Sequence, residues 1–234
     1  MAVLGALVRT SEAGRSAFGW PYDTETLKAQ KAELQTWITE EDRKDQSETA
    51  MWWMPVIGVT GQLELALPAI ATYTRLAGSP GDLTFARYGL EVRYRFASRT
   101  APPPVIPLAR IAVFRDVTDR GTVRIEASAV ASYERAGIRV VADLDYIGEL
   151  RRGADRHELY PSVGVSFGVT RELRLGAEAV AELEGEDSAP HELEWVAAGP
   201  NAAWTHGRFW VSGSAPIGMT GIRAAPRVLL GVLF

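Results

Sequence analysis

From about residue 32 to the end of the chain, side chains change character with a period of two. In Leu173–Glu184, the residues Leu173, Leu175, Ala177, Ala179, Ala181 and Leu183 are all apolar, and Arg174, Glu178, Glu182 and Glu184 fall between them with Gly176 and Val180. Successive side chains of a strand point to opposite faces, so this spacing makes one charge-free face and one polar face. Phe85–Phe96 repeats it, with Ala86, Tyr88, Leu90, Val92, Tyr94 and Phe96 against Arg87, Glu91, Arg93 and Arg95. Val123–Glu134 and Ile138–Glu149 follow the same rule, the latter with Arg139, Asp143, Asp145 and Glu149 on its polar side. Read throughout, the pattern predicts about twelve strands, near 32–41, 50–59, 62–74, 84–97, 104–115, 122–134, 137–149, 157–168, 172–184, 192–204, 207–216 and 224–233. They exceed the ~5–6 residues usual for globular strands. They suit tilted strands that cross a bilayer, which need about 9–11 residues. In the tenth strand (Glu192–Trp204) the faces are poorly separated and the inward side stays open. Thr24–Gln35 also has helical spacing, through Leu27, Lys31, Leu34 and Ile38, but an even strand count needs Glu33–Thr39 as the first strand.

The connections alternate in length. Tight turns are expected at Thr60-Gly61, Ala136-Gly137, Thr170-Arg171 and His206-Gly207; longer polar loops at Glu41–Thr49, Leu76–Asp82, Asp116–Gly121, Arg151–Arg156, Gly185–His191 and Met219–Arg223. Ser98–Pro103 is the long exception on the short side, and Pro102-Pro103-Pro104 stiffens it. Short turns at one rim and longer loops at the other mark an antiparallel up-and-down transmembrane β-barrel. Size decides which face is outside: twelve strands enclose more space than Ala127, Ala129, Ala131, Ala177, Ala179 and Ala181 can fill, so the apolar face points outward. Tyr73, Tyr94, Phe96, Tyr133, Tyr146 and Phe209 lie near strand ends on that face, as an aromatic girdle would. Trp52 and Trp53 point opposite ways, one to lipid and one to the lumen.

The charged face then lines the lumen. The expected lining is Arg87, Glu91, Arg93, Arg95, Arg110, Arg124, Glu126, Arg139, Asp143, Asp145, Arg174, Glu178 and Glu182. Strands four to six also bring Arg115, and strands seven to nine Glu149, Glu158 and Glu184, so one arc is basic and the next acidic. Two readings follow. Opposed charges set a field across a wet pore that selects small polar or charged solutes. Alternatively they pair and shut the barrel, which then anchors or docks envelope partners.

Composition excludes other classes. With no cysteine, disulfide scaffolds, thiolate metal sites and cysteine nucleophiles are out. A net charge of −4 argues against nucleic acid as a partner. His157-Glu158 and His191-Glu192 begin a zinc motif that Pro161 and Trp195 break. His157 and Ser162 face opposite ways, so no lipid-cleaving Ser/His pair forms, and no phosphate loop or GxSxG is present. No enzyme, metal or cofactor is expected.

The chain ends Arg227-Val228-Leu229-Leu230-Gly231-Val232-Leu233-Phe234. This alternation, with Val228, Leu230, Val232 and the terminal Phe234, resembles the C-terminal signal that the barrel-assembly machinery reads on bacterial outer-membrane β-barrels. Ile57–Leu65 (IGVTGQLEL), Gly168–Gly176 (GVTRELRLG) and Gly199-Pro200-Asn201 resemble one group of them, channel barrels often associated with aromatic-compound degradation pathways. The resemblance spans about residues 20–234. It implies residence in the bacterial outer membrane, with the lipid bilayer, the assembly machinery and periplasmic or outer-membrane proteins as partners. Residues 26–234 are expected to form the barrel and 1–25 a leader or a plug that buries Phe18, Trp20 and Tyr22. The export signal such a protein needs is not evident: Ala2–Val8 is short, and Ser11-Glu12-Ala13 is a poor cleavage site. A truncated, reassigned or replaced start is expected.

Overall fold

The computed structural model describes residues 16–151, 155–186 and 191–234. Every regular element among them is a strand: β1 (Ala32–Asp42), β2 (Gln46–Gly58), β3 (Leu63–Ala66), β4 (Ala69–Leu76), β5 (Asp82–Arg95), β6 (Val105–Asp116), β7 (Val123–Arg135), β8 (Ile138–Leu150), β9 (Arg156–Gly168), β10 (Leu173–Glu186), β11 (Glu192–His206), β12 (Phe209–Ser214), β13 (Ile217–Thr220) and β14 (Arg227–Leu233). They form twelve staves, since β3 and β4 are halves of one and β12 and β13 halves of another. Pro68 and Pro216 fall in the two breaks, where a residue without an N–H cannot extend the ladder.

Each stave pairs antiparallel with the next, and β1 closes the ring against β14, from Glu33↔Leu233 to Thr39↔Arg227. Above Arg227 the seam continues through Glu40 N–H to the Pro226 carbonyl and Asp42 N–H to the Ala224 carbonyl, each 2.9 Å. Phe234 N–H donates to the Ala32 carbonyl at 2.8 Å, so the last residue is stitched to the first strand. Closure removes every free edge, as a wall in lipid requires.

The outward face is the apolar one. Leu34, Ile38, Leu90, Ile111, Val113, Leu144, Val163, Leu175, Val228 and Leu230 are all exposed. Tyr94, Phe96, Tyr133 and Phe209 are exposed near the short-turn rim, and Tyr73 near the other. Trp53 points out, whereas Trp52 stacks inside on Trp37 at 5.5 Å.

Two open points resolve and two expectations change. Glu33–Thr39 lies in the first strand as expected and Thr24–Gln35 forms no helix: Leu27 packs on Trp37, Met54 and Val56, and Ala32 already begins β1. The faces of β11 looked mixed because a bulge between Glu182 and Leu183 shifts its register; Trp195, Ala197, Asn201 and Ala203 point inward. Arg115 faces outward with Val113, since both sit at odd positions of β6, and it is exposed. The first loop is much shorter than expected because β2 runs on past the rim, whereas 117–122 keeps its expected length and 221–226 is one residue longer. Residues 46–49 belong to β2, leaving only 43–45 to join it to β1, and the other connections are 77–81, 117–122, 151–155, 187–191 and 221–226. In 117–122, Thr122 Oγ1 and Gly121 N–H donate to Asp119, which holds its pKa below the usual carboxylate range.

Candidate functional site

The lumen has two unlike halves. In the half nearer the short turns, the space is occupied by residues 16–31. Gln30 N–H bonds the Gly58 carbonyl at the short-turn rim, at 2.8 Å. From there the chain runs back up to Trp20 in mid-lumen. Ala17 N–H reaches Asp23 at 3.3 Å, so the segments either side of Gly19–Pro21 lie side by side as an inserted hairpin. Residues 16–25 of the segment read as leader or plug therefore lie in the lumen; residues 1–15 fall outside the described residues.

Three features seat the hairpin. The first is apolar: Phe18 packs on Leu108, Val130 and Val141, and Trp20 on Val180, Trp195 and Ala197. Gly164 makes room for the Phe18 ring, since a Cβ there would lie 2.3 Å from it. The second is cation–π: Arg110 lies 4.6 Å from the Tyr22 ring centroid, and Arg227 sits between Trp20 (5.1 Å) and Trp37 (4.9 Å). The third is polar. Gly19 N–H and Trp20 N–H donate to the two oxygens of Glu178, each at 2.9 Å. Tyr22 N–H donates to Asp143 at 2.9 Å, and Leu27 N–H to Glu64. Ser212 Oγ and Arg227 donate to the carbonyls of Phe18 and Trp20. Arg139 holds the Asp23 carboxylate, and Thr24 meets Ser132. Those made by Glu178, Asp143, Glu64, Arg139 and Arg227 are charge-assisted, the strong kind.

The loop-side half is open, a cavity of about 420 Å³ with Trp20 and Tyr22 at its border. Toward the short turns, the same two rings border a void of only about 30 Å³. The hairpin tip thus separates a roomy vestibule from a filled lower lumen.

The charges expected in two arcs meet as ion pairs. A ladder of alternating sign climbs the β5–β8 wall: Arg93–Glu91, Glu91–Arg110 (2.7 Å), Arg110–Glu126 (2.7 Å), Glu126–Arg124 (2.8 Å), Arg124–Glu149 (3.1 Å) and Glu149–Arg87 (3.1 Å). Asp145 stands 3.9 Å from Arg110 and takes a hydrogen bond from Ser128. Across the lumen, Arg43 bridges Glu41 and Glu182, and Tyr160 Oη lies within bonding distance of Glu182 (2.8 Å) and Glu158 (3.1 Å). Arg174 pairs with Glu134 near the short-turn rim, and Arg95 is buried on the inner face. Arg139 also pairs with Glu134, at 3.2 Å. All thirteen residues expected to line the lumen lie on its inner face. They divide between the two halves: Glu178, Asp143 and Arg139 hold the hairpin, and Arg87, Arg124, Glu126, Asp145 and Glu182 line the vestibule.

Further charged or polar positions escaped the sequence reading, among them Glu64, Asn201 and Arg227 around the hairpin and Glu41, Arg43 and Tyr160 in the vestibule. Glu64 lies in a four-residue strand too short to show alternation, Asn201 in the mixed-face strand, and Arg227 was absorbed into the C-terminal motif. Among the described residues no metal-holding cluster of His, Asp and Glu exists. Of the histidines, His157 faces outward and bonds Tyr146, His206 pairs with Glu172 in a turn, and His191 is exposed.

No family model matches the chain, and no curated protein matches it in sequence. Solved structures do match. An outer-membrane channel from Pseudomonas putida superposes with a TM-score of 0.71 over 92% of this chain and 99% of that one, at 10% identity. The fold is that of a bacterial outer-membrane β-barrel. The translocator domain of the autotransporter NalP from Neisseria meningitidis (TM-score 0.53, 9% identity, 89% of each chain) has a similar wall. So does the KdgM porin in complex with disordered oligogalacturonate (TM-score 0.50, 9% identity, 86% of this chain and 98% of that one). In this barrel, the outward position of Val228, Leu230, Val232 and Phe234 follows from β14 closing the wall.

Proposed function

We propose that the chain is a narrow outer-membrane channel for small polar or charged solutes, closed at rest by its own residues 16–31. The observation that carries this is the division of the lumen: a polar vestibule of about 420 Å³ on the loop side, stopped by a single inserted hairpin rather than by the wall. A vestibule of this size suits a small solute, and its lining of six arginines and seven carboxylates suits a polar one. The aromatic girdle and the apolar band of the outer face support placement in the outer membrane. The paired ladder on β5–β8 stiffens the wall without closing it, so selectivity comes from the charges the vestibule exposes. Among these, Glu48 lines the cavity, and Arg87, paired with Glu149 and Asp116, is partly exposed in it.

The test is single-channel recording of the refolded full chain in a planar bilayer under a salt gradient. Rare brief openings in the wild type and stable openings when the hairpin is unseated are expected. Silence from both, in samples shown to be folded, overturns the channel reading. It would leave a closed barrel with a docking role, which the dense ion pairing of the wall also suits.

A further inference from the structure

The lumen wall grips the hairpin largely by its main chain. Glu178 takes two successive N–H groups, Asp143 takes a third, and Ser212 and Arg227 give to two carbonyls. Wall carboxylates accept and wall hydroxyl and guanidinium groups donate, which is the complement of an extended peptide backbone whatever its side chains. The track also has capacity the hairpin leaves unused. Asp143 Oδ1, Asn201 Oδ1, Ser214 Oγ and Arg227 Nε are buried without a hydrogen-bond partner, and each belongs to a residue more than nine-tenths buried. Buried polar atoms without a partner are costly, so these four are places where a further donor or acceptor would be stabilised. Ser214 is aimed at the hairpin: a Cβ on Gly19 would fall 2.3 Å from its Oγ.

We infer that this half of the lumen is a peptide-binding track, and that residues 16–27 occupy it as a ligand in cis. With the hairpin displaced, the track takes a short extended peptide, recognised through its main-chain amides. The inference rests on the channel reading for its route of access and adds the class of solute.

The experiment uses the full chain carrying Gly19→Val, whose side chain collides with Ser214 and unseats the hairpin. Trp20→Gly, which empties the apolar seat, is the second variant should the first fail to fold. Three probes are added: a synthetic peptide with the sequence of residues 16–27, the same peptide N-methylated at the positions of Gly19, Trp20 and Tyr22, and maltohexaose. Binding is read twice, by tryptophan fluorescence in micelles and by current block in bilayers. The unmodified peptide is expected to bind about ten-fold more tightly than the N-methylated one, the worth of a charge-assisted hydrogen bond. Adding Glu178→Gln is expected to weaken its binding about ten-fold. Equal binding of the N-methylated peptide, or binding of maltohexaose as tight as that of the peptide, overturns the inference. So does an absence of peptide binding. The two readings fail separately: variants that never conduct sink the channel, while the micelle measurement alone still decides the track.

Discussion

The two halves of the lumen are built from the same strands yet solve opposite problems. On the loop side, arginines and carboxylates on neighbouring staves neutralise one another, and the space between them stays open. On the short-turn side, Glu178 and Asp143 have no arginine within ion-pair distance among the described residues; Glu178 takes one bond from Asn201 of the wall, and the rest of their partners are backbone N–H groups of a separate segment. A charge answered within the wall leaves the wall complete. A charge answered largely by an inserted segment makes that segment part of the structure. On the proposed channel function, the difference separates a fixed vestibule from a gate.

The largest expected effect comes from abolishing the contrast. Gly19→Val should empty the lower lumen and raise single-channel conductance several-fold over the wild type; unchanged conductance would mean that the hairpin does not set the flow. Next is Arg110→Met, which takes one of two arginine partners from each of the buried carboxylates Glu91 and Glu126, leaving them Arg93 and Arg124. Leaving a buried charge wholly unpaired costs about 3–5 kcal/mol, which is the upper bound here. The folded-to-unfolded gel shift on heating should move to clearly lower temperature, and a melting point within error of wild type would show the ladder to be dispensable. Glu178→Gln should leave the barrel folded but weaken the hairpin by about 1.5–3 kcal/mol, the range for hydrogen bonds to charged groups. Open probability then rises about ten-fold or more with no change in open-state conductance; a change in conductance instead would place Glu178 in the conducting path. Smallest is Arg87→Gln in the vestibule. It is partly exposed and shares Glu149 with Arg124, so stability should move by less than about 1 kcal/mol. The reversal potential under a salt gradient should shift toward cation preference, and a shift toward anions would contradict a wet vestibule.

The wall was legible in the sequence because its cause is local. A period of two over 10–15 residues leaves one solution per strand, and the inner and outer faces of β5, β7, β8 and β10 follow from it directly. The strand whose faces stayed open sits where the period is interrupted, at the bulge between β10 and β11. Arg115 is a different case, since its type suggested the lumen while its odd position, shared with Val113, placed it outside. The hairpin was less legible. Phe18, Trp20 and Tyr22 signalled something to bury, but no periodicity says where. Its seat is made of single residues from β3, β8, β10, β12 and β14, far apart in sequence, and nothing local links Gly19 to Glu178 or Phe18 to Gly164. Ion pairing was similarly hidden: composition gave the charges, but only register gave the partners.

The shortness of the loop-rim connections matters for the proposed placement in the outer membrane with this rim toward the medium. Where the connections are fully described, at 43–45, 77–81, 117–122 and 221–226, three to six residues join the strands, and the rim offers little contiguous chain to an antibody paratope or a phage tail. Proteases bind several residues in extended form, which a turn of this length pinned at both ends does not supply. Trypsin added to intact cells is expected to leave the barrel uncut, and its surface to be nearly invisible to agents that identify a bacterium by its loops.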